Sequence, residues 1–107
     1  MNLPKVINDL TRAQNNLDGA AFSECFVEDG VVKDDGITLR GRKEISGWIQ
    51  RTSEKYQTFL RPLEYKEQAD ESVLVVEAHG NFKGSPTILK YNFRTQNGLV
   101  EYLRITA

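Results

Sequence analysis

Apolar residues recur every three or four positions at the start of the chain, which predicts two helices there. In the first, the residues on one face of a 3.6-residue period are Leu3, Val6, Ile7, Leu10 and Leu17. Asn2 is predicted to cap this helix, with Pro4 tolerated in its first turn. The second helix is predicted to run from the N-cap Asp18 to a stop at Gly30. Its apolar face consists of Ala21, Phe22, Cys25 and Phe26.

The middle of the chain predicts a small hairpin followed by a third helix. Short apolar runs at residues 31–33 and 37–39 are separated by the turn signal Asp34-Asp35-Gly36. Residues 41–56 then return to helical spacing, with an apolar face made of Ile45, Trp48, Ile49, Thr52 and Tyr56.

The second half of the chain predicts four strands at even spacing. They cover residues 59–69, 73–82, 87–96 and 99–106. The last two are joined by Asn97-Gly98, a pair that suits a type I′ hairpin because both central residues need positive φ. Alternation along 87–96 indicates a sheet with one covered face. The predicted fold class is therefore α+β, with three N-terminal helices packed on a curved antiparallel sheet.

Composition narrows the function classes. The 107 residues carry 14 Lys and Arg, 15 Asp and Glu and one cysteine, for a net charge of -1. This balance excludes a strongly basic nucleic-acid binder, and the lone cysteine excludes a disulfide framework. The single histidine and scattered carboxylates show no metal-ligand spacing. With no signal peptide and no apolar run near the about 20 residues that span a bilayer, we expect a cytoplasmic, soluble single domain over residues 1–107.

Two segments carry a resemblance to a known family. They are Phe26-Val27-Glu28-Asp29-Gly30-Val31-Val32, preceded by Asn15-Asn16-Leu17-Asp18, and Leu39-Arg40-Gly41-Arg42-Lys43-Glu44-Ile45 with Trp48 beyond. Together they resemble the nuclear transport factor 2-like superfamily, in its SnoaL-like polyketide cyclase and ketosteroid isomerase branch. The resemblance implies a cone-shaped, cystatin-like roll whose sheet curls around a pocket capped by the helices. It also implies a homodimer packed through the outer sheet face, where Val73, Val75, Ile88, Val100 and Tyr102 supply apolar atoms.

The resemblance places two catalytic candidates. Asp34 falls where ketosteroid isomerase-like members carry the general base, although Asp34-Asp35-Gly36 also reads as an ordinary turn. Tyr91 falls where that branch carries an acid that donates to the substrate oxygen, although a half-buried strand tyrosine is the simpler interpretation. Leu10 replaces the branch's tyrosine in the first helix, which counts against steroid-type isomerisation.

The same register predicts the surroundings of the pocket. The expected ligand-binding residues are Trp48, Val76, Phe82, Phe93 and Leu103. Alternation places His79 on the outer face and Glu101 on the inner face. Cys25 is expected to be a small apolar helix residue.

Three functions remain open at this point. The first is cofactor-independent proton transfer, of the isomerase or cyclase type, on a small ring-bearing hydrophobic substrate, with Asp34 as base and Tyr91 as polar partner. The second is a non-catalytic small-ligand-binding module. The third is a dimerisation or association domain.

Overall fold

The structure, a computed structural model, describes residues Met1 to Ala107. Its helices are α1 (Lys5–Asn15), α2 (Gly19–Glu24) and α3 (Gly41–Tyr56). Its strands are β1 (Phe26–Asp34), β2 (Ile37–Arg40), β3 (Phe59–Glu67), β4 (Ser72–His79), β5 (Thr87–Gln96) and β6 (Leu99–Thr106). The α+β prediction is confirmed, and the predicted bounds of α3, β5 and β6 are correct.

The two N-terminal helices differ from the prediction at their ends. Asn2 does not cap α1, because the helix begins after Pro4 and no side chain caps it. Asp18 does cap α2, since its carboxylate accepts from the Ala21 N–H at 3.0 Å. This helix ends at Glu24 instead of Gly30, because the following backbone joins the sheet: the Cys25 carbonyl accepts from the Val100 N–H at 2.9 Å.

Six strands form one sheet in the order β2-β1-β6-β5-β4-β3. Every neighbouring pair is antiparallel except β1 and β6, which run parallel. The predicted wholly antiparallel sheet is therefore wrong at this one contact. The consequence is that β1, predicted as a run of three residues, is a nine-residue strand inside the sheet.

Both two-residue hairpins have the backbone that their sequences predict. Asp35 and Gly36 have φ of 46° and 80°, and Asn97 and Gly98 have φ of 52° and 81°. Positive φ at both central residues matches the right-handed twist of the flanking strands. Asp34 is thus the last residue of β1 and lies outside the two central turn positions.

The register along β6 shifts at a bulge. Arg94 pairs with Tyr102 and Thr95 with Val100, so Glu101 is an extra residue without a partner on β5. The simple alternation that predicted Glu101 inward and Val100 outward fails here, because Val100 is fully buried. Glu101 is half-buried at the bulge.

The inner face of the sheet and the three helices enclose a single apolar core of 19 buried residues. On β4, Leu74, Val76 and Ala78 are buried, as alternation predicts. His79 lies on the opposite face, where its Nε2 atom is 2.7 Å from the Glu77 carboxylate. The outward position predicted for His79 is therefore correct.

A side-chain amide joins α1 to the edge of the sheet. Asn15 donates to the Leu60 carbonyl at 2.9 Å and accepts from the Leu60 N–H at 2.7 Å. The amide thus pairs with β3 as another strand would, which satisfies backbone groups at an edge strand. This contact fixes the distance between α1 and the sheet.

We predict that Asn15→Ala lowers the free energy of unfolding by about 2 kcal/mol, because it leaves both Leu60 backbone groups without a partner. Urea denaturation measures this change. The control is Asn8→Ala, an exposed position on the same helix, which should change stability by no more than about 0.5 kcal/mol. Equal effects of the two substitutions would contradict the clamp.

Candidate functional site

Asp34 and Tyr91 lie on one row of residues across the sheet. In register, Asp34 pairs with Ile37 on β2 and with Ile105 on β6, and Ile105 pairs with Tyr91. Tyr91 in turn pairs with Leu74. Residues aligned on neighbouring strands point to the same face, and Tyr91 and Leu74 are buried on the inner face. Asp34 therefore also belongs to the inner face, about 10 Å from Tyr91 by two strand spacings.

The surroundings of the Asp34 carboxylate are apolar on both sides. Its row neighbours are Ile37 and Ile105, and the side chain is half-buried. Lys33 pairs with Arg104 on the adjacent row and so faces the other side of the sheet. Burial raises the pKa of Asp34, and the nearby charge of Asp35 adds to the rise.

Tyr91 is buried and its hydroxyl has one defined partner. The hydroxyl donates to Gln14 Oε1 at 3.0 Å, across the space between β5 and α1. Burial raises the pKa of Tyr91, the bond to Gln14 opposes part of that rise, and the charge of Asp34 adds to it. The two catalytic candidates are thus close enough to interact electrostatically.

Gln14, the hydrogen-bond partner of Tyr91, was not predicted from the sequence. It lies one turn beyond Leu10 on the buried side of α1, and only 5% of its surface is exposed. A signal was present, since a polar residue four positions after Leu10 interrupts the apolar face. Leu10 itself is fully buried in the core, so the polar group that α1 presents to the sheet comes from Gln14.

Four of the five residues predicted to bind a ligand are in the packed core. They are Trp48, Val76, Phe93 and Leu103, none more than 8% exposed. Phe82 was predicted to lie in the strand 73–82, and this is wrong because β4 ends at His79. Its ring instead packs edge-on against Tyr56, at 6.3 Å between centroids, in the loop that follows. A ligand site among these residues stays a prediction.

The main concavities of the surface lie elsewhere. One, of about 460 Å³, lies beside Asp34, and its wall includes Ile37 and Ile105 as well as Lys33 and Arg104. Another, of about 500 Å³, lies between α1, α2 and the β5–β6 turn, with Cys25 in its wall. Burial raises the pKa of the Cys25 thiol to about 11, which keeps it protonated at neutral pH. The concavity beside Asp34 is therefore the one that adjoins a catalytic candidate.

Two further features are absent from the structure. No cluster of three or more histidine, cysteine, aspartate and glutamate side chains is placed to hold a metal ion. No helix is long and apolar enough to cross a membrane.

The known proteins that this chain matches are solved structures. No family model matches the chain, and no curated protein matches it. Among solved structures, a protein of Sinorhizobium meliloti described as a candidate polyketide cyclase has a TM-score of 0.92 and 31% sequence identity. That alignment covers 97% of this chain and 95% of that one.

Two more distant structures share the fold. A Catenulispora acidiphila protein with a ketosteroid isomerase-like fold, solved with trimethylamine, has a TM-score of 0.88 and 22% identity, over 99% of this chain and 87% of that one. A nuclear transport factor 2-like protein of Cytophaga hutchinsonii has a TM-score of 0.78 and 12% identity, over 94% and 85%. The chain belongs to the nuclear transport factor 2-like superfamily, in its SnoaL-like branch.

We predict that Asp34→Asn is more stable than the wild type at pH 7. The raised pKa means that the folded state favours the protonated carboxyl, so wild-type stability falls as the pH rises from about 3.9 through that raised value. The asparagine variant lacks this loss, and the gap should close as the pH falls towards about 4. Urea denaturation from pH 4 to 8 measures the gap.

The control for this measurement is Asp70→Asn, in the exposed loop between β3 and β4. It should show no gap that grows with pH. A destabilised Asp34→Asn variant at pH 7, or a gap independent of pH, would contradict the buried-carboxylate interpretation.

Proposed function

We propose that this protein is a small enzyme that transfers a proton without a cofactor. Asp34 is the general base, and the hydrogen-bonded pair of Tyr91 and Gln14 is the polar group that faces the substrate's oxygen. The observation that carries the proposal is the shared inner-face row, which puts the carboxylate and the phenol on either side of Ile105.

The chemistry follows from the two ends of this row. The Asp34 carboxylate takes a proton from a carbon next to a carbonyl group, and the electron pair of that C–H bond forms a carbon–carbon double bond. The carbonyl π electrons move onto oxygen, which becomes an enolate. Asp34 then returns the proton to the same carbon, which gives exchange, or, where a second double bond is conjugated with the enolate, to the far carbon of that double bond, which gives isomerisation; neither step needs an oxidant, reductant or metal. A base with a raised pKa suits this work near neutral pH.

The position of Asp34 favours this role over that of a turn residue. The turn itself is made by Asp35 and Gly36, whose positive φ values close the hairpin. Asp34 is the last strand residue, and its pKa is shifted by burial and by charge, with no contribution from a hydrogen bond. Nothing in the turn therefore requires a carboxylate at this position.

The expected substrate is a small apolar ring compound that bears a carbonyl group. Ile37 is 51% exposed and, together with Ile105, supplies the apolar part of the concavity beside Asp34, whose other lining residues are polar or charged apart from Gly36. The relative from Sinorhizobium meliloti, described as a candidate polyketide cyclase, is consistent with this class. Leu10 still counts against steroid-type isomerisation, because it leaves α1 without a phenol at that position.

The direct test is exchange of α-protons in a panel of cyclic ketones, followed by proton NMR in D₂O. We predict that the wild type accelerates exchange and that Asp34→Asn lowers the rate by about 100-fold or more. Asp35→Asn is the matched control, since it removes the neighbouring carboxylate from the exposed turn, and it should retain the rate. Full activity in Asp34→Asn, or no acceleration by the wild type with any ketone, would refute the proposal.

A second proposed property is self-association through the outer face of the sheet. Ile88 is 46% exposed near the start of β5, and Phe59, on the same face, is 52% exposed. Val73, Val75 and Tyr102 are half-buried on this face, while Val100 is withdrawn by the bulge. Pairing of two copies would cover these apolar atoms.

We therefore predict a homodimer of twice 12.2 kDa in sedimentation at micromolar concentration. Ile88→Arg should shift it towards the monomer, because a charged side chain in place of an exposed apolar one must lose its hydration when two copies pair. Ile37→Arg is the control, since Ile37 is equally exposed but lies on the inner-face row. A monomeric wild type would contradict this prediction and leave the proposed proton transfer unaffected.

A further inference from the structure

We infer that Gln14 is the residue that donates a hydrogen bond to the substrate's oxygen, and that Tyr91 is a positioning residue that holds the Gln14 amide in place. This inference rests on the proposed proton transfer for its chemistry. The binding role that it assigns to Gln14 can be tested without catalysis.

Gln14 has hydrogen-bond donors that no group of the protein accepts. A neutral amide offers one carbonyl oxygen and two N–H donors. The oxygen is occupied by the Tyr91 hydroxyl at 3.0 Å, and the amide nitrogen donates to no group of the protein. Buried polar groups normally have partners, but the two N–H donors of Gln14 have none in the protein, on a side chain that is only 5% exposed.

The amide nitrogen of Gln14 is not fully enclosed by the protein. The one fully enclosed side-chain polar atom without a partner is Thr58 Oγ1. The Gln14 nitrogen is therefore not sealed inside the core, although the rest of its side chain is. A donor that is held on the inner side of the fold and is not fully enclosed can receive an acceptor from a ligand.

Tyr91 is already committed as a donor within the protein. Its single hydroxyl proton already points to Gln14 Oε1, so it cannot be given to a substrate without breaking that bond. The same bond fixes which way the amide faces, with its oxygen towards Tyr91 and its nitrogen away. The neighbouring Asn15 differs, because both ends of its amide are used by Leu60.

The resulting arrangement separates the two tasks of proton transfer. Asp34 removes the proton at one end of the row, and the negative charge that develops on the substrate oxygen is met by the Gln14 N–H. A neutral amide held in place before the reaction stabilises such an oxyanion and needs no reorganisation when the charge appears. A carboxylate or an aliphatic side chain at position 14 cannot do this.

The test uses 4-nitrophenolate as a ring-bearing oxyanion and ¹⁵N-labelled protein. The Gln14 side-chain NH₂ signals are assigned by their loss in Gln14→Leu. We expect one of them to move downfield on addition of the probe, more strongly in Asp34→Asn, where a like charge has been removed. The Asn15 NH₂ signals are the internal control and should stay in place. Unmoved Gln14 signals in both proteins would overturn the inference.

Kinetics provide the second measurement if the exchange assay is active. Gln14→Leu and Gln14→Glu should each lower kcat by about 100-fold or more with little change in KM, because the lost bond is made mainly in the transition state. Gln14→Glu keeps an acceptor for Tyr91 but adds a negative charge, so its loss of rate combines the missing donor with repulsion of the oxyanion, whereas Gln14→Leu removes the donor without adding charge. Tyr91→Phe should cost less than either, since the amide remains.

These outcomes separate the two ideas. If the Gln14 signals shift but the wild type exchanges no protons, the oxygen-binding role stands and the proposed proton transfer fails. If exchange requires Asp34 but survives in Gln14→Leu, proton transfer stands and the role of Gln14 fails. A larger loss in Tyr91→Phe than in Gln14→Leu would make Tyr91 the donor and overturn the assignment.

Discussion

The parallel pairing of β1 with β6 is the contact on which the rest of the structure depends. It is the only pairing in the sheet between strands that are distant in sequence, since the other four join consecutive strands. It begins where the Cys25 carbonyl accepts from Val100 and continues to Asp34 opposite Ile105. Because the two strands are far apart in sequence, bringing them together has an entropic cost. The packing of the helices against the sheet offsets that cost.

One polar contact supports that ladder where it begins, and a second fixes a helix to the far edge of the sheet. Arg42, in the first turn of α3, donates twice to the Phe26 carbonyl, at 2.9 and 2.7 Å, where β1 begins. A charged donor that meets a backbone carbonyl makes a stronger bond than a neutral one. At the opposite edge of the sheet, the Asn15 amide pairs with Leu60. The helices are thus fixed to the sheet at both edges by directional bonds as well as by apolar packing.

The inner face combines an apolar core with three polar groups in unequal situations. The Tyr91 hydroxyl donates to the Gln14 carbonyl oxygen, so these two groups are hydrogen-bonded to each other. The Asp34 carboxylate, by contrast, lies between two isoleucines and forms no ion pair. Burial of a carboxylate without a partner costs free energy, and a fold retains such a group only where the remaining packing outweighs that cost. This imbalance distinguishes the Asp34 end of the row from the closely packed apolar core.

Local patterns in the sequence determined most of the secondary structure. The helical spacing of 41–56, the alternation of 87–96 and the Asn97-Gly98 turn are decided by neighbours in the chain, and the structure has all three where they were predicted. The family resemblance added the order of elements and the position of Asp34 and Tyr91. Tertiary contacts alone decided the rest: the parallel β1–β6 ladder that turned the end of α2 into strand, and the bulge that withdrew Val100. They also decided the meeting of Gln14 with Tyr91, 77 residues apart. A pattern along one segment carries the periodicity of that segment, whereas pairing across the sheet depends on which distant backbone is available to accept its hydrogen bonds.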